Sequence, residues 1–135
     1  GVSSAASDVY KRQIILLYPV PEVGVDPNKK LYSQWIKRKN KFSQDYNFEY
    51  FTTSYQVFLD RNKTSFQLLD SVKGENIFRV YPHSILCDTV IKDRCITHND
   101  EIVFYIDKQH PSLRGSHFIN ELIMKEIEKI GFLSK

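Results

Sequence analysis

The chain lacks the short motifs that usually place a catalytic serine: Gly-Asp-Ser, Gly-x-Ser-x-Gly and Gly-Asn-His are all absent from its 135 residues. It also lacks a long apolar run, because Ile14 to Tyr18 is far shorter than the roughly 20 residues of a membrane-spanning helix. Charge is nearly balanced: the formal net charge is +3, and the basic residues concentrate only at Lys37 to Lys41. We therefore predict no spanning helix and no obligatory nucleic-acid or membrane partner.

Cysteine is scarce, since Cys87 and Cys95 are the only two and lie in a loop-like stretch. Two cysteines alone do not define a disulfide framework. A local disulfide and two unrelated thiols therefore remain about equally compatible with the sequence. A disulfide would indicate an oxidising compartment. No metal is predicted, because zinc usually takes four clustered ligands and the chain offers no second pair at suitable spacing.

Length and composition indicate one small domain or part of one. Residues 1–13 show no strand alternation, no helical stripe and no signal-peptide core, so we expect a non-native, artefactual leader there. Residues 14–135 would then be the domain.

The remaining sequence alternates apolar runs with helical stripes. Predicted strands lie at Ile14–Tyr18, Ile77–Tyr81 and Glu101–Ile106, and helical spacing marks residues 30–41, 51–72 and 118–130. This order predicts an α/β fold with a parallel sheet. Three strands are fewer than the five or so of a doubly wound domain, so the order resembles the C-terminal half of one.

One loop after the last predicted strand carries a carboxylate and an imidazole, Asp107 and His110. An aspartate can orient a histidine so that the other ring nitrogen accepts a proton from a nucleophile. The loop Pro21-Glu22 also follows a strand end and is expected at the same edge of the sheet. The alternative is a helix-capping Asp107 beside a surface histidine.

Other polar residues receive structural interpretations. Ser112 is predicted to cap the final helix, and Gly115 to let that helix approach a neighbouring strand. His117 lies seven positions after His110 but falls inside a helix, which argues against a shared metal site. His83 and His98 are expected in loops, facing water.

Three features in order resemble one known family. They are the strand ending in Pro19-Val20-Pro21-Glu22, the pair Cys87 and Cys95, and the run from Asp107 through His110-Pro111-Ser112 to Gly115. Together they resemble the C-terminal part of the SGNH (GDSL-type) hydrolase domain fused to acyltransferase-3 membrane proteins. Pro111 departs from the leucine common after the histidine.

The resemblance implies the C-terminal half of a flavodoxin-like, three-layer domain with a parallel sheet. It implies a serine O-acyltransferase or esterase that helps to O-acylate cell-envelope polysaccharide, with no cofactor. His110 would be the general base, Asp107 its orienter, and Cys87–Cys95 a disulfide. The nucleophilic serine and the oxyanion-hole residues would precede Ile14, so the chain alone is expected to be inactive.

The implied partners are a membrane-embedded acyltransferase-3 domain in the same parent chain, an acyl donor and a carbohydrate acceptor. The implied location is periplasmic or otherwise extracytoplasmic, attached to the inner membrane. One alternative is a non-catalytic carbohydrate-binding or scaffold α/β module. Another is a nucleic-acid binder that uses Lys37 to Lys41 with Tyr32 and Trp35, which the small size of the basic face disfavours.

Overall fold

The computed structural model describes residues 12–39 and 50–131. In chain order the elements of these ranges are β1 (Ile14–Leu17), α1 (Pro27–Lys39), β2 (Thr52–Ser54), α2 (Tyr55–Arg61), α3 (Lys63–Ser71), β3 (Ile77–Val80), α4 (His83–Leu86), β4 (Arg94–Ile96) and α5 (Leu113–Lys129). Residues 1–11 of the predicted leader and 40–41 of the basic run lie outside the described residues. No helix in the described ranges is both long and apolar enough to cross a bilayer.

Two of the strands form a parallel pair. β1 pairs with β3 so that Ile14 lies opposite Ile77 and Leu17 opposite Val80. A parallel pair needs a long crossover, and the segment between the two strands holds three of the helices. α5 packs against β3. The prediction of an α/β fold with a parallel sheet is confirmed.

The predicted strand at Glu101–Ile106 is wrong. This segment makes only isolated bridges, His98 with Val103 and Tyr105 with Pro111. Hydrogen bonds of a turn replace those of a strand here: the Asn99 side chain accepts from the backbone amides of Glu101 and Ile102. A buried strand and a buried, turn-rich segment cannot be distinguished from an apolar run, because both require the same side chains.

The long helical stripe predicted at residues 51–72 is interrupted. Its first part is the short strand β2, which pairs antiparallel with β4. Ser54 then caps α2, its hydroxyl accepting from the amide of Val57, and Asn62 separates α2 from α3. The capping serine ends the extended backbone and begins the helix within one residue.

Two histidines that were expected to face water pack inside the protein, one fully and one in part. His98 is 1% exposed; its Nε2 accepts from the amide of Phe51, and its Nδ1 lies 3.0 Å from the carbonyl oxygen of Asn99. His83 is half-buried, and this burial lowers its pKa. Its ring lies 5.3 to 6.1 Å from four aromatic rings, those of Tyr55, Phe58, Phe66 and Tyr81. The expectation fails for His98 and holds only in part for His83.

The two cysteines form a disulfide inside the main core. Cys87 and Cys95 are both buried, and Cys95 belongs to β4. The buried residues clustered around this bond are Val23, Leu86, Ile96, Phe104 and Tyr105. The disulfide thus joins β4 of the small second sheet to the residue that directly follows α4.

We predict that replacing both cysteines with serine destabilises the protein by about 2 to 3 kcal/mol. The disulfide closes a short loop in the unfolded chain, and loss of that constraint gives this magnitude. Urea unfolding of the double variant measures the change, with oxidised and reduced wild-type protein as controls. Equal stability of the oxidised and reduced wild-type protein would contradict the prediction.

Candidate active site

A closed turn holds Asp107 and His110. The amide of Ile106 donates to the carbonyl of His110 at 2.9 Å, and Tyr105 bridges Pro111. These contacts fix both ends of the segment 106–111. The two candidate catalytic side chains therefore project from one rigid turn at the protein surface.

The Asp107 carboxylate binds the turn and the imidazole at once. Its Oδ1 accepts from the amides of Gln109 and His110, each at 2.7 Å. Its Oδ2 lies 2.8 Å from Nδ1 of the His110 ring. The two backbone hydrogen bonds, followed by the one from the imidazole, lower the pKa of Asp107 to about 2. The carboxylate is thus ionised at any pH at which imidazole can accept a proton.

This geometry orients the histidine. With Nδ1 directed at a carboxylate, the proton of a neutral imidazole belongs on Nδ1, and Nε2 keeps its lone pair. The pair is accessible to a reactant, because the His110 side chain is 69% exposed and that of Asp107 is 45% exposed. The arrangement can therefore receive a proton from a neighbouring nucleophile.

The loop after β1 packs against this turn. The amides of Val23 and Gly24 both donate to the carbonyl of Lys108, at 3.0 and 3.1 Å. The carbonyl of Pro21, a buried residue, accepts from the Tyr105 hydroxyl at 2.8 Å. Glu22 is exposed between these anchors. The structure thus brings together the Pro21-Glu22 loop and the Asp107 loop.

Helix α5 begins directly after the turn and supports it. The Ser112 hydroxyl accepts from the amide of Gly115 at 2.9 Å, which is an N-cap hydrogen bond, and donates to the carbonyl of Val103 at 2.8 Å. The amide of Ser112 also donates to the carbonyl of Phe104. The Ser112 hydroxyl is therefore hydrogen-bonded to backbone groups on both sides, and its role is structural.

His117 does not join the Asp107–His110 pair. It lies in α5, where its Nε2 is 3.3 Å from the Glu121 carboxylate one turn later. Within residues 12–39 and 50–131, no cluster of three or more histidine, cysteine and acidic side chains could hold a metal ion.

Two residues that position the site were not assigned that role from the sequence. Tyr105 lies in the apolar run before the turn, and burial raises its pKa strongly. A buried tyrosine needs a partner for its hydroxyl, and this need is the signal that could have pointed to the neighbouring loop. The other is Asn28, whose side-chain amide donates to the carbonyls of Tyr105 and Ile106 at 3.0 and 3.2 Å. Nothing local in the sequence marks that contact.

Comparison with known proteins identifies the family of this chain. A family model described as the SGNH domain (fused to AT3 domains) matches residues 5–125, which is most of the chain. The chain belongs to this SGNH family. No curated protein and no solved structure gives a significant match.

Membership of this family indicates the general type of reaction that the domain carries out. Domains of this class support esterase or acyltransferase chemistry, and the family description makes an AT3 domain its partner in the parent chain. The matched span includes both the Pro21-Glu22 loop and the turn from Asp107 to His110.

We predict that Gly115→Ala destabilises the SGNH domain by about 1 to 3 kcal/mol. In an open helix this change would stabilise the protein by up to about 1 kcal/mol. Here the added methyl group would overlap the carbonyl of Phe104, and such overpacking costs more than the helix gains. Urea unfolding measures the change, with Arg114→Ala, an exposed site on the same helix, as the control. A stabilised Gly115→Ala variant would show that the contact with Phe104 is not close.

Proposed function

We propose that this chain carries the histidine–aspartate part of a Ser-His-Asp triad in a serine O-acyltransferase or esterase that acts on cell-envelope polysaccharide. The observation that supports this most is the 2.8 Å contact between His110 Nδ1 and an Asp107 carboxylate fixed by two backbone amides. The alternative weighed above, a helix-capping aspartate, has less support, because another residue caps the helix that follows. The cap of α5 is Ser112.

In the proposed first step, a serine hydroxyl attacks the acyl carbonyl and its proton passes to His110 Nε2. Asp107 stabilises the imidazolium through Nδ1. His110 then returns the proton to the leaving alcohol, and an acyl-enzyme remains. In the second step a sugar hydroxyl attacks the acyl-enzyme and gives its proton to His110 Nε2. The bond between the acyl carbon and the serine oxygen then breaks, His110 returns the proton to that oxygen, and the product ester leaves.

The nucleophile is proposed to come from a Gly-Asp-Ser block that precedes Ile14 in the parent protein, together with the oxyanion-hole glycine and asparagine. Neither Gly-Asp-Ser nor Gly-Asn-His occurs in the 135 residues. Within these 135 residues, His110 therefore has no serine from such a motif to activate.

An extracytoplasmic location, with attachment to the inner membrane through the AT3 partner, forms part of the proposal. The disulfide between Cys87 and Cys95 supports it, because disulfides persist in oxidising compartments and are rare in the cytosol. A polysaccharide of the cell envelope would be accessible there. The membrane partner would supply the acyl group.

We predict that His110→Ala in the parent protein lowers esterase kcat/KM at least about a thousandfold, and that Asp107→Asn lowers it by about 10²- to 10⁴-fold. Loss of His110 removes the proton acceptor, whereas the asparagine holds the ring in the wrong tautomer. Release of p-nitrophenol from p-nitrophenyl acetate measures turnover.

His117→Ala is the matched control, because the His117 side chain is about as exposed as that of His110 and its imidazole lies against the Glu121 carboxylate. It should leave turnover unchanged. The 135-residue chain assayed in the same way should show no serine-dependent turnover. Full activity of the His110→Ala parent would refute the triad, and turnover by the chain alone would refute the missing-nucleophile part of the proposal.

A further inference from the structure

Helix α1 carries a concentration of positive charge that the proposed chemistry does not use. The helix has no acidic residue, and its basic residues, all of them exposed, are Lys29, Lys30, Lys37, Arg38 and Lys39. Asp26, just before the helix, accepts from the amides of Asn28 and Lys29. The charge of the whole chain is only +3, so this helix is far more basic than the protein around it.

Only one side of α1 faces the protein. Pro27 is buried and Leu31 and Gln34 are half-buried, and this spacing of four and three residues defines one face of a helix. The Asn28 side chain adds hydrogen bonds to the carbonyls of Tyr105 and Ile106. Residues 12–39 and 50–131 leave the opposite face of α1 exposed to solvent.

That outer face is apolar in its middle. Tyr32, Trp35 and Ile36 lie on it at helical spacing and are 61%, 51% and 37% exposed. The rings of Tyr32 and Trp35 stack with their centroids 5.8 Å apart, and the ammonium group of Lys39 lies 5.3 Å from the centroid of the Trp35 ring. The outer face is therefore an aromatic and aliphatic patch with lysines around it.

The stability of the helix itself explains only part of this arrangement. Lys37, Arg38 and Lys39 are in the last turn, where positive charge is favourable to the helix dipole. Lys30 lies over the Phe51 ring. Lys29, however, is in the first turn, where positive charge opposes the dipole, and it forms no salt bridge within the described ranges. Lys29 and the exposed rings are thus better explained by an anionic partner.

The apolar patch selects between two kinds of anionic partner. Single-stranded nucleic acid is bound by stacking bases on open aromatic faces, but Tyr32 and Lys39 already compete for the Trp35 ring. Ile36 offers nothing to a base or a phosphate. At a membrane surface, tryptophan, tyrosine and aliphatic side chains enter the interface while neighbouring lysines reach the lipid headgroups. The patch therefore favours lipid.

We propose that α1 binds the surface of a bilayer that contains anionic lipid. Tyr32, Trp35 and Ile36 enter the interface, and Lys29 and Lys37 contact lipid phosphates. Because Asn28 of the same helix binds the backbone just before the Asp107 turn, this contact would hold the turn close to the bilayer. The proposed function attaches the protein to the membrane only through its AT3 partner, whereas here the SGNH domain has a lipid contact of its own.

Trp35 makes the test direct, because it is the only tryptophan of the chain and its fluorescence reports on this face alone. The 135-residue chain, without the AT3 partner, is mixed with vesicles of phosphatidylcholine with and without phosphatidylglycerol. We expect it to sediment with the anionic vesicles, its emission to move to shorter wavelength, and added salt to reverse both effects. Vesicles of phosphatidylcholine alone should bind it more weakly.

The double variant Lys29→Gln/Lys37→Gln should bind the anionic vesicles about 10- to 30-fold more weakly. Ile36→Ser should weaken binding by about 3- to 10-fold, because an aliphatic side chain no longer enters the interface. The matched control, Lys73→Gln/Lys125→Gln, removes the same charge from exposed sites outside α1 and should change binding by no more than about 2-fold. All variants should keep the wild-type circular dichroism spectrum.

Four results would overturn the inference. They are no sedimentation of the wild-type chain with anionic vesicles, sedimentation without a shift of Trp35 emission, an equal loss of binding in the two double lysine variants, and tighter binding of single-stranded oligothymidylate than of the vesicles. None of these measurements uses turnover, so their failure would leave the triad proposal untouched. His110→Ala should bind the vesicles as the wild-type chain does.

Discussion

The carboxylate of Asp107 makes the contacts on which the candidate site depends. One oxygen accepts from two backbone amides of its own turn, and the other faces the imidazole of His110. The same group therefore shapes the loop and orients the base. Because backbone amides hold the carboxylate, the pair needs no further cation to fix it and can remain exposed at the surface.

The rest of the structure fixes that turn from three sides. Tyr105 binds the loop after β1, Asn28 binds the backbone before the turn, and α5 begins after it with Ser112 as the cap. Gly115 allows α5 to approach Phe104 closely. Tyr105 is buried, Ser112 is half-buried and Asn28 is exposed, and each has a defined hydrogen-bond partner, so the position of the pair is set by contacts from several elements.

The sequence allowed the parallel strands to be predicted, because the continuous apolar run at residues 14–18 and the mostly apolar run at residues 77–81, which Arg79 interrupts, are each short and followed by proline. It did not distinguish the segment 101–106 from a strand, since the same side chains serve a buried turn. β2 and β4 were missed because their pairing joins residues about forty positions apart, which no local period shows. The Asp107–His110 contact could be predicted because it closes within three residues, whereas Tyr105–Pro21 spans 84 positions and depends on the tertiary fold.

The tautomer of His110 tests the central claim most directly. When the His110 imidazole is neutral, long-range ¹H–¹⁵N spectra of the labelled protein distinguish a proton on Nδ1 from one on Nε2. An Asp107 carboxylate bound to the ring requires the Nδ1–H form, and Asp107→Ala should lose it. A wild-type His110 that carries its proton on Nε2, or that is unchanged in Asp107→Ala, would contradict the account.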